Sequence, residues 1–290
     1  MFEIVVVLYN MAASESPTIM SLNNLLASSA FSEIVKIVIF DNSNEVNEPL
    51  GLEKRFVYYH SQKNVGIAKA YNYALKQMAS TAEWLVTLDQ DTTVTKEYLN
   101  ELIKKVVTLP QSVVAVAPVV KDHEQQISPV RSDTLRPLHN ELPHGNHSYS
   151  KDVMVINSGT ALRAYFLKEI GGYNLSFPLD YLDHWLSWRI FKEKKQITIL
   201  SNVLQHQLSV LDYATQMNFS RYQAILSAEK CYYSLYNKQM HSRYRRQLFL
   251  RGCKQILSRK LNYGKMTFKF LFSGGNDGIK STKADERATK

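Results

Sequence analysis

Two carboxylates one residue apart, Asp89 and Asp91, close the apolar run Trp84-Leu85-Val86-Thr87-Leu88. A strand ending in Asp-x-Asp carries hard oxygen ligands to the rim of a sheet, where Mg²⁺ or Mn²⁺ and a diphosphate can be held together. The same pair could be a plain turn signal, because Asp also terminates strands and caps helices. A third carboxylate, Asp183 in Leu182-Asp183-His184-Trp185, stands at the start of a helical pattern and suits the removal of a proton from a hydroxyl. His206, between Gln205 and Gln207, is a candidate third metal ligand and could equally be a surface histidine.

Elements of alternating type must position these groups. Apolar runs of strand length at 4–8, 34–40, 56–59, 84–88 and 112–120 alternate with segments of helical period, the pattern of parallel βαβ units in an α/β fold. The near-continuous run Ile4 to Leu8 predicts a strand covered on both faces. Ser16-Pro17 reads as an N-cap followed by Pro at the first helical position, with Ile19, Leu22 and Leu26 as the buried stripe. Ile67, Ala70, Tyr71, Ala74 and Met78 mark a second helix, and Thr95 caps a third with Leu99, Leu102, Ile103 and Val106. Residues 121–150 turn polar and are expected to form a long loop over the carboxyl ends of the strands. Its His139, His144 and His147 are too irregularly spaced for a zinc site.

The chain of 290 residues is 45% apolar, enough for one large domain with an appendage. Its net charge of +9 is unevenly placed: residues 210–290 carry 16 Lys/Arg against 5 Asp/Glu, whereas residues 1–209 carry 19 against 21. A near-neutral body is not a polycation for gripping nucleic acid. Cys231 and Cys253 offer no disulfide framework, no basic leader opens the chain, and no apolar run reaches about 18 residues, so a cytoplasmic protein without a span is expected. From Tyr222 to Phe272 aromatic and aliphatic residues mix with Arg and Lys, a composition suited to an anionic membrane surface or to a helical extension packed on the body. Residues 273–290 read as disordered. The expected units are therefore 1–209, 210–272 and 273–290.

Seven ordered segments resemble family 2 glycosyltransferases with the GT-A fold, most like bacterial rhamnosyltransferases, over about residues 2–209. They are Val5 to Asn10, Phe40 to Ser43, Asn64 to Ala68 with Asn72, Asp89-Gln90-Asp91, Asn157 to Thr160 with Gly171-Gly172-Tyr173, Leu182 to Arg189, and Leu204 to Gln207. The resemblance implies a Rossmann-like, mostly parallel sheet flanked by helices, with a basic helical extension. It assigns Tyr9, Asn10, Asp41, Asn64, Gly66, Lys69, Asp89 and Gln90 to the donor nucleotide, and Asp91, Asp89 and His206 to Mn²⁺ or Mg²⁺. Asp183 becomes the base; Ser158, Gly159, Thr160, Asp180, His184 and Trp185 fall on the acceptor side. Where relatives carry a second acid directly before the base this chain has Leu182, and Asp180 is the nearest substitute.

The resemblance further implies an inverting transfer from a nucleotide-diphospho-sugar, dTDP-L-rhamnose first and UDP-hexoses next, to a glycan or lipid-linked glycan of bacterial surface polysaccharide synthesis. It also implies a peripheral position on the inner face of the plasma membrane. A rival reading takes Leu88 to Thr93 as the Asp-x-Asp-x-Thr pattern of haloacid-dehalogenase-like phosphohydrolases, with Asp89 as nucleophile. That motif normally follows the first strand, whereas three strand-like runs precede it here.

Overall fold

The structure, a computed structural model, describes residues 1–28, 31–139, 141–206 and 218–273, with only the backbone of His206. The tail expected to be disordered lies, from residue 274 on, outside the described residues. The first half contains β1 (Phe2–Leu8), α1 (Pro17–Ser28), β2 (Ile34–Asp41), β3 (Phe56–His60), α2 (Ile67–Lys76), β4 (Trp84–Asp89), β5 (Thr92–Thr93) and α3 (Lys96–Thr108). Then come β6 (Val113–Asp122), β7 (Gln125–Ser128), β8 (Val130–Arg131), β9 (His147–Tyr149), β10 (Val153–Met154) and β11 (Thr160–Arg163). The chain continues through α4 (Ala164–Glu169), α5 (Leu182–Lys192), β12 (Gln196–His206), α6 (Phe219–Cys231), α7 (His241–Leu257) and α8 (Leu261–Phe272).

The main sheet runs β3-β2-β1-β4-β11-β6-β12-β5. Its first four strands are parallel, and β11 lies antiparallel between β4 and β6. The chain leaves β1 toward β2 on one side and returns to β4 on the other, so the carboxyl ends of β1 and β4 flank the point where strand order reverses. Open α/β sheets bind ligands at such a point, because the connections diverge there and leave a crevice.

The apolar runs are explained by two covered faces. Val5 and Val7 join the core formed with α2, α4 and α5, while Ile4, Val6 and Leu8 face α1 and α3, as the period of two requires. Thr95 accepts a hydrogen bond from Tyr98 N–H, as expected of the cap. Met78 lies beyond the end of α2 yet packs against the core.

Residues 121–150 depart from the long-loop expectation. The segment starts at the carboxyl end of β6, where β7 pairs back onto it, but β9 pairs with Ile197–Ile199 in the amino half of β12. Short strands satisfy this polar backbone along the sheet edge, and their brevity hid them in the sequence.

Tyr222, Leu226, Tyr232, Tyr236, Tyr244, Leu248 and Met266 share the core of α2, α4 and α5. The C-terminal helices therefore pack on the body, and both cysteines are free. Among the described residues no helix is long and apolar enough to cross a membrane.

The turn Gly171-Gly172-Tyr173 is tied to α2 by Asn72, whose amide oxygen accepts from Tyr173 N–H at 2.8 Å and whose amide nitrogen donates to Tyr173 O at 2.8 Å. Gly172 has φ of 85°, and a Cβ there would collide with that amide oxygen. Gly172→Ala is expected to lower stability by about 1–3 kcal/mol, seen as a lower urea midpoint at unchanged slope.

Candidate functional site

Asp89 ends β4 opposite Val7, and its backbone is held from three sides. Its N–H donates to Ser158 Oγ at 3.0 Å, while the Thr18 hydroxyl lies 2.5 Å from the Asp89 carbonyl oxygen and 2.8 Å from that of Thr92. Thr92 N–H donates to Thr18 Oγ at 2.9 Å, and Ser16 Oγ donates to Gln90 O at 2.6 Å. The start of α1 thus fastens the acidic turn. This explains why the helix opens on Ser-Pro-Thr: Ser16 caps α1 through Ile19 N–H and anchors the turn with the same oxygen.

β5 pairs with the end of β12, with Thr92 opposite His206. A register shift in β12 between Ile199 and Val203 makes this approach possible, and Glu101 holds it by accepting from Ser201 N–H at 2.8 Å and Asn202 N–H at 2.9 Å. Burial works to raise the Glu101 pKa, yet these bonds leave it below the ordinary value. The backbone of His206 therefore lies opposite Thr92, so the end of β12 reaches the turn that follows Asp89.

Among the described residues, no three or more His, Cys, Asp or Glu side chains form a ready-made metal cluster. The donor chemistry nevertheless fits a hard divalent cation, since half-buried Asp89 and Asp91 offer carboxylate oxygens at the rim.

Beyond the ends of β1 and β2 opens a cavity of about 410 Å³ lined by Asn10, Met11, Ala12, Glu15, Ser43, Asn44, Glu45 and Asn47. Asn10 is in the left-handed region at φ 50°, and its N–H donates to Ser43 Oγ at 2.9 Å, so the exits of both strands are stitched together. Asp41 stands fully buried behind this stitch. It accepts from Ser43 N–H at 2.8 Å and from the Tyr58 hydroxyl at 2.7 Å. Burial, followed by the bond to Asp41, pushes the Tyr58 phenol up to about 12. The expected base-reading carboxylate thus shapes the turn, and Asn10 and Ser43 line the cavity.

Other expected donor residues also have structural work. The Gln90 amide brackets the backbone of exposed Tyr9, accepting from its N–H at 2.8 Å. Asn64 accepts from Gly66 N–H at 2.9 Å, and Gly66, at φ 81°, lies against the Pro178 carbonyl that caps Ile67 N–H at 2.7 Å. Only Gly fits there. Lys69 is exposed in the first turn of α2.

Ser158 and Gly159, expected on the acceptor side, are buried in the turn that leads into β11, and Thr160, also expected there, is buried at its start. Ser158 bonds Asp89 and Thr92, Gly159 N–H donates to Thr87 O, and Thr160 Oγ donates to Ile156 O. Trp185 is likewise buried in the core. Their hydrogen bonds and packing are spent inside, which leaves Asp180, Asp183 and His184 as the polar groups of that side.

Asp183 lies in the first turn of α5, and its Oδ1 accepts from His184 N–H at 2.8 Å and lies 2.9 Å from His184 Nδ1. Burial works to raise its pKa, but the charge and hydrogen bonds of His184 prevail and hold it below the usual carboxylate value. Asp180 is paired with Arg221 of α6 at 2.7 Å; burial nevertheless pushes it up. Buried Tyr71 of α2 reaches the first acidic group, its hydroxyl 3.4 Å from Asp89 Oδ1. Burial first, then the charges of Asp89 and Asp183 among its neighbours, raise that hydroxyl well above its usual value. The carboxylates at the end of β4 and the start of α5 thus both lie within electrostatic reach of Tyr71. In the sequence Tyr71 marks only the apolar stripe of α2, and that same stripe carries it to Asp89.

The glycosyl transferase family 2 profile matches residues 3–171. The chain belongs to this family. Among solved structures, it is similar to GalNAc-T7 crystallised with UDP, GalNAc and Mn²⁺, at 11% identity and TM-score 0.56, over 79% of this chain and 47% of that one. It is also similar to residues 1–349 of S. aureus TarS, at 14% identity and TM-score 0.50, over 93% and 90%. The chain thus spans about half the length of the GalNAc-T7 structure. These likenesses support the GT-A type of fold, and no curated protein sequence matches. The phosphohydrolase alternative falls, because its motif belongs after a first strand and Asp89 ends the fourth.

Because the Asp183 pKa is lowered on folding, its contribution to stability is present above the unfolded carboxylate value. That contribution is lost as pH falls through the folded value. The stability difference between the wild type and Asp183→Asn should accordingly shrink as pH falls through this window, as followed by urea denaturation at a series of acidic pH values.

Proposed function

We propose that this chain is an inverting, metal-dependent glycosyltransferase that moves a sugar from a nucleotide-diphospho-sugar to a hydroxyl of a glycan or lipid-linked glycan. The observation that carries the reading is the pair of carboxylates felt by Tyr71: Asp89 at the rim of β4, 3.4 Å from its hydroxyl, and Asp183 at the start of α5, within electrostatic reach. A transfer of this kind needs charge control at the leaving diphosphate and a base on the opposite side of the anomeric carbon.

In this mechanism the cavity beyond β1 and β2 receives the nucleoside, and the β1–β4 crevice receives the diphosphate. Asp91, with Asp89 and His206, would hold Mn²⁺ or Mg²⁺, which when bound supplies Lewis-acid stabilisation of the leaving group. Asp183 accepts the acceptor hydroxyl's proton. Its lowered pKa keeps it ionised and able to accept across the neutral range. His184 occupies Oδ1, so Oδ2 faces the task of taking the proton. Attack from the face opposite the leaving group gives inversion.

The leading donor is dTDP-L-rhamnose, on the strength of the sequence resemblance, and the setting is bacterial surface-glycan synthesis. Residues 1–209 form the catalytic unit in this reading. The α7–α8 surface supports a peripheral place on an anionic membrane, where a lipid-linked acceptor would be met. Exposed Phe249, Leu250, Leu257, Leu261 and Phe272 lie among exposed Arg246, Lys254, Arg259, Lys260 and Lys269. Such side chains can enter the headgroup region while their cations stay at its surface.

A panel of nucleotide sugars incubated with membrane extract and Mn²⁺, Mg²⁺ or chelator should give nucleoside diphosphate release with dTDP-L-rhamnose, abolished by chelator. Asp91→Ala and Asp183→Asn should each lower the rate at least about 100-fold; full activity in either variant would sink the mechanism. For the membrane surface, Phe249→Glu/Leu257→Glu should lose flotation with phosphatidylglycerol vesicles while melting like the wild type. Unchanged flotation would remove that role.

A further inference from the structure

We propose that the C-terminal helices orient the catalytic carboxylate: Glu229 of α6, fixed by Arg251 of α7, holds Tyr181, and Tyr181 holds the His184–Asp183 pair. The inference rests on Asp183 acting as the base.

The chain of contacts is continuous. Arg251 binds Glu229 through two parallel hydrogen bonds of 2.9 Å, a fork that fixes the carboxylate in its plane. Glu229 is 6% exposed, so its carboxylate has been taken out of water, while the Arg251 side chain stays 32% exposed. Its Oε1 accepts from the Tyr181 hydroxyl at 3.2 Å. Tyr181 directly precedes α5 with φ of 66°, a left-handed conformation that an aromatic residue adopts only where its surroundings over-determine it. Its ring stacks on the His184 imidazole at 4.4 Å and 29°, and His184 then holds Asp183 Oδ1.

A single strained backbone position thus points one tyrosine both at a buried acid of the extension and at the histidine beside the base. A pin needed only for packing would not require the hydroxyl, because the ring already lies among Tyr232 and Tyr233. His184 of its own helix is hydrogen-bonded to Asp183, and Asp180 before it, Tyr71 of α2 and Tyr232 after α6 lie within electrostatic reach. Of these, His184 is the one that lowers the Asp183 pKa, and it is the one Tyr181 holds.

The test uses full-length protein labelled with ¹³C at aspartate carboxyls, with the Asp183 signal assigned by its loss in Asp183→Asn. Wild type, Tyr181→Phe and Glu229→Gln are titrated, and initial rates are measured with the nucleotide sugar that wild type consumes in membrane extract. Both variants should titrate Asp183 at higher pH than wild type. They should lower kcat by about tenfold to a hundredfold with donor KM unchanged, and the acid limb of kcat should move to higher pH. Tyr181→Phe keeps the ring and is the variant least able to disturb folding. An unchanged Asp183 titration or unchanged kcat in folded Tyr181→Phe overturns the proposal. Full activity in Asp183→Asn would instead overturn the assignment of the base, so the two failures are told apart.

Discussion

The site depends on the register of β4. Side chains alternate along a strand, so a slip of one residue would turn Leu88 to the opposite face and carry Asp89 away from the rim. That register is locked by parallel pairing with β1 through Val7 and antiparallel pairing with β11 through Thr160 and Thr87. Beyond the last paired residue the ladder can no longer hold the chain, and hydroxyls take over: Thr18, Ser16 and Ser158 bind the peptide groups of the acidic turn. A rigid turn matters here because two carboxylates one residue apart repel, and a fixed backbone limits how far the turn can yield to that repulsion.

The second carboxylate is set by a different part of the chain. Asp183 belongs to α5, but the residues that hold its surroundings come from α6 and α7: Arg221 on Asp180, and Glu229 with Arg251 on Tyr181. The tyrosines that follow α6 fill the core beneath α5. One carboxylate is therefore set by the sheet, with Tyr71 against it, and the surroundings of the other are braced by the extension. The basic and apolar face of α7 and α8 points away from this shared core, which lets the same helices pack on the body with one side and present a charged surface with the other.

Much of the frame was legible in the sequence because its causes are local. The Ile4 to Leu8 run, the Ser16-Pro17 cap, Thr95 and the strand-ending Asp89 each owe their form to period or capping chemistry within a few residues. Gly66 and Gly172 were found as motif residues, but their reason is non-local: each faces a partner far away in the chain, Pro178 for the one and Asn72 for the other. Asp41, Ser158 and Trp185 hold sequence positions that suit a site, and tertiary structure adds their burial and their internal bonding or packing. The polar stretch 121–150 misled for a related reason, since two- and three-residue strands carry no periodicity to detect. The Glu229–Arg251 pair left no signal at all, being two ordinary charges 22 positions apart.

In the proposed mechanism the rim of β4 gathers a divalent cation and a nucleoside diphosphate into one site. Electron paramagnetic resonance of Mn²⁺ titrated into the protein, with and without dTDP or UDP, reads this directly. The account predicts bound Mn²⁺ that tightens when the nucleotide is added and is lost in Asp91→Asn. Mn²⁺ and nucleotide binding that is undiminished in folded Asp91→Asn would contradict it.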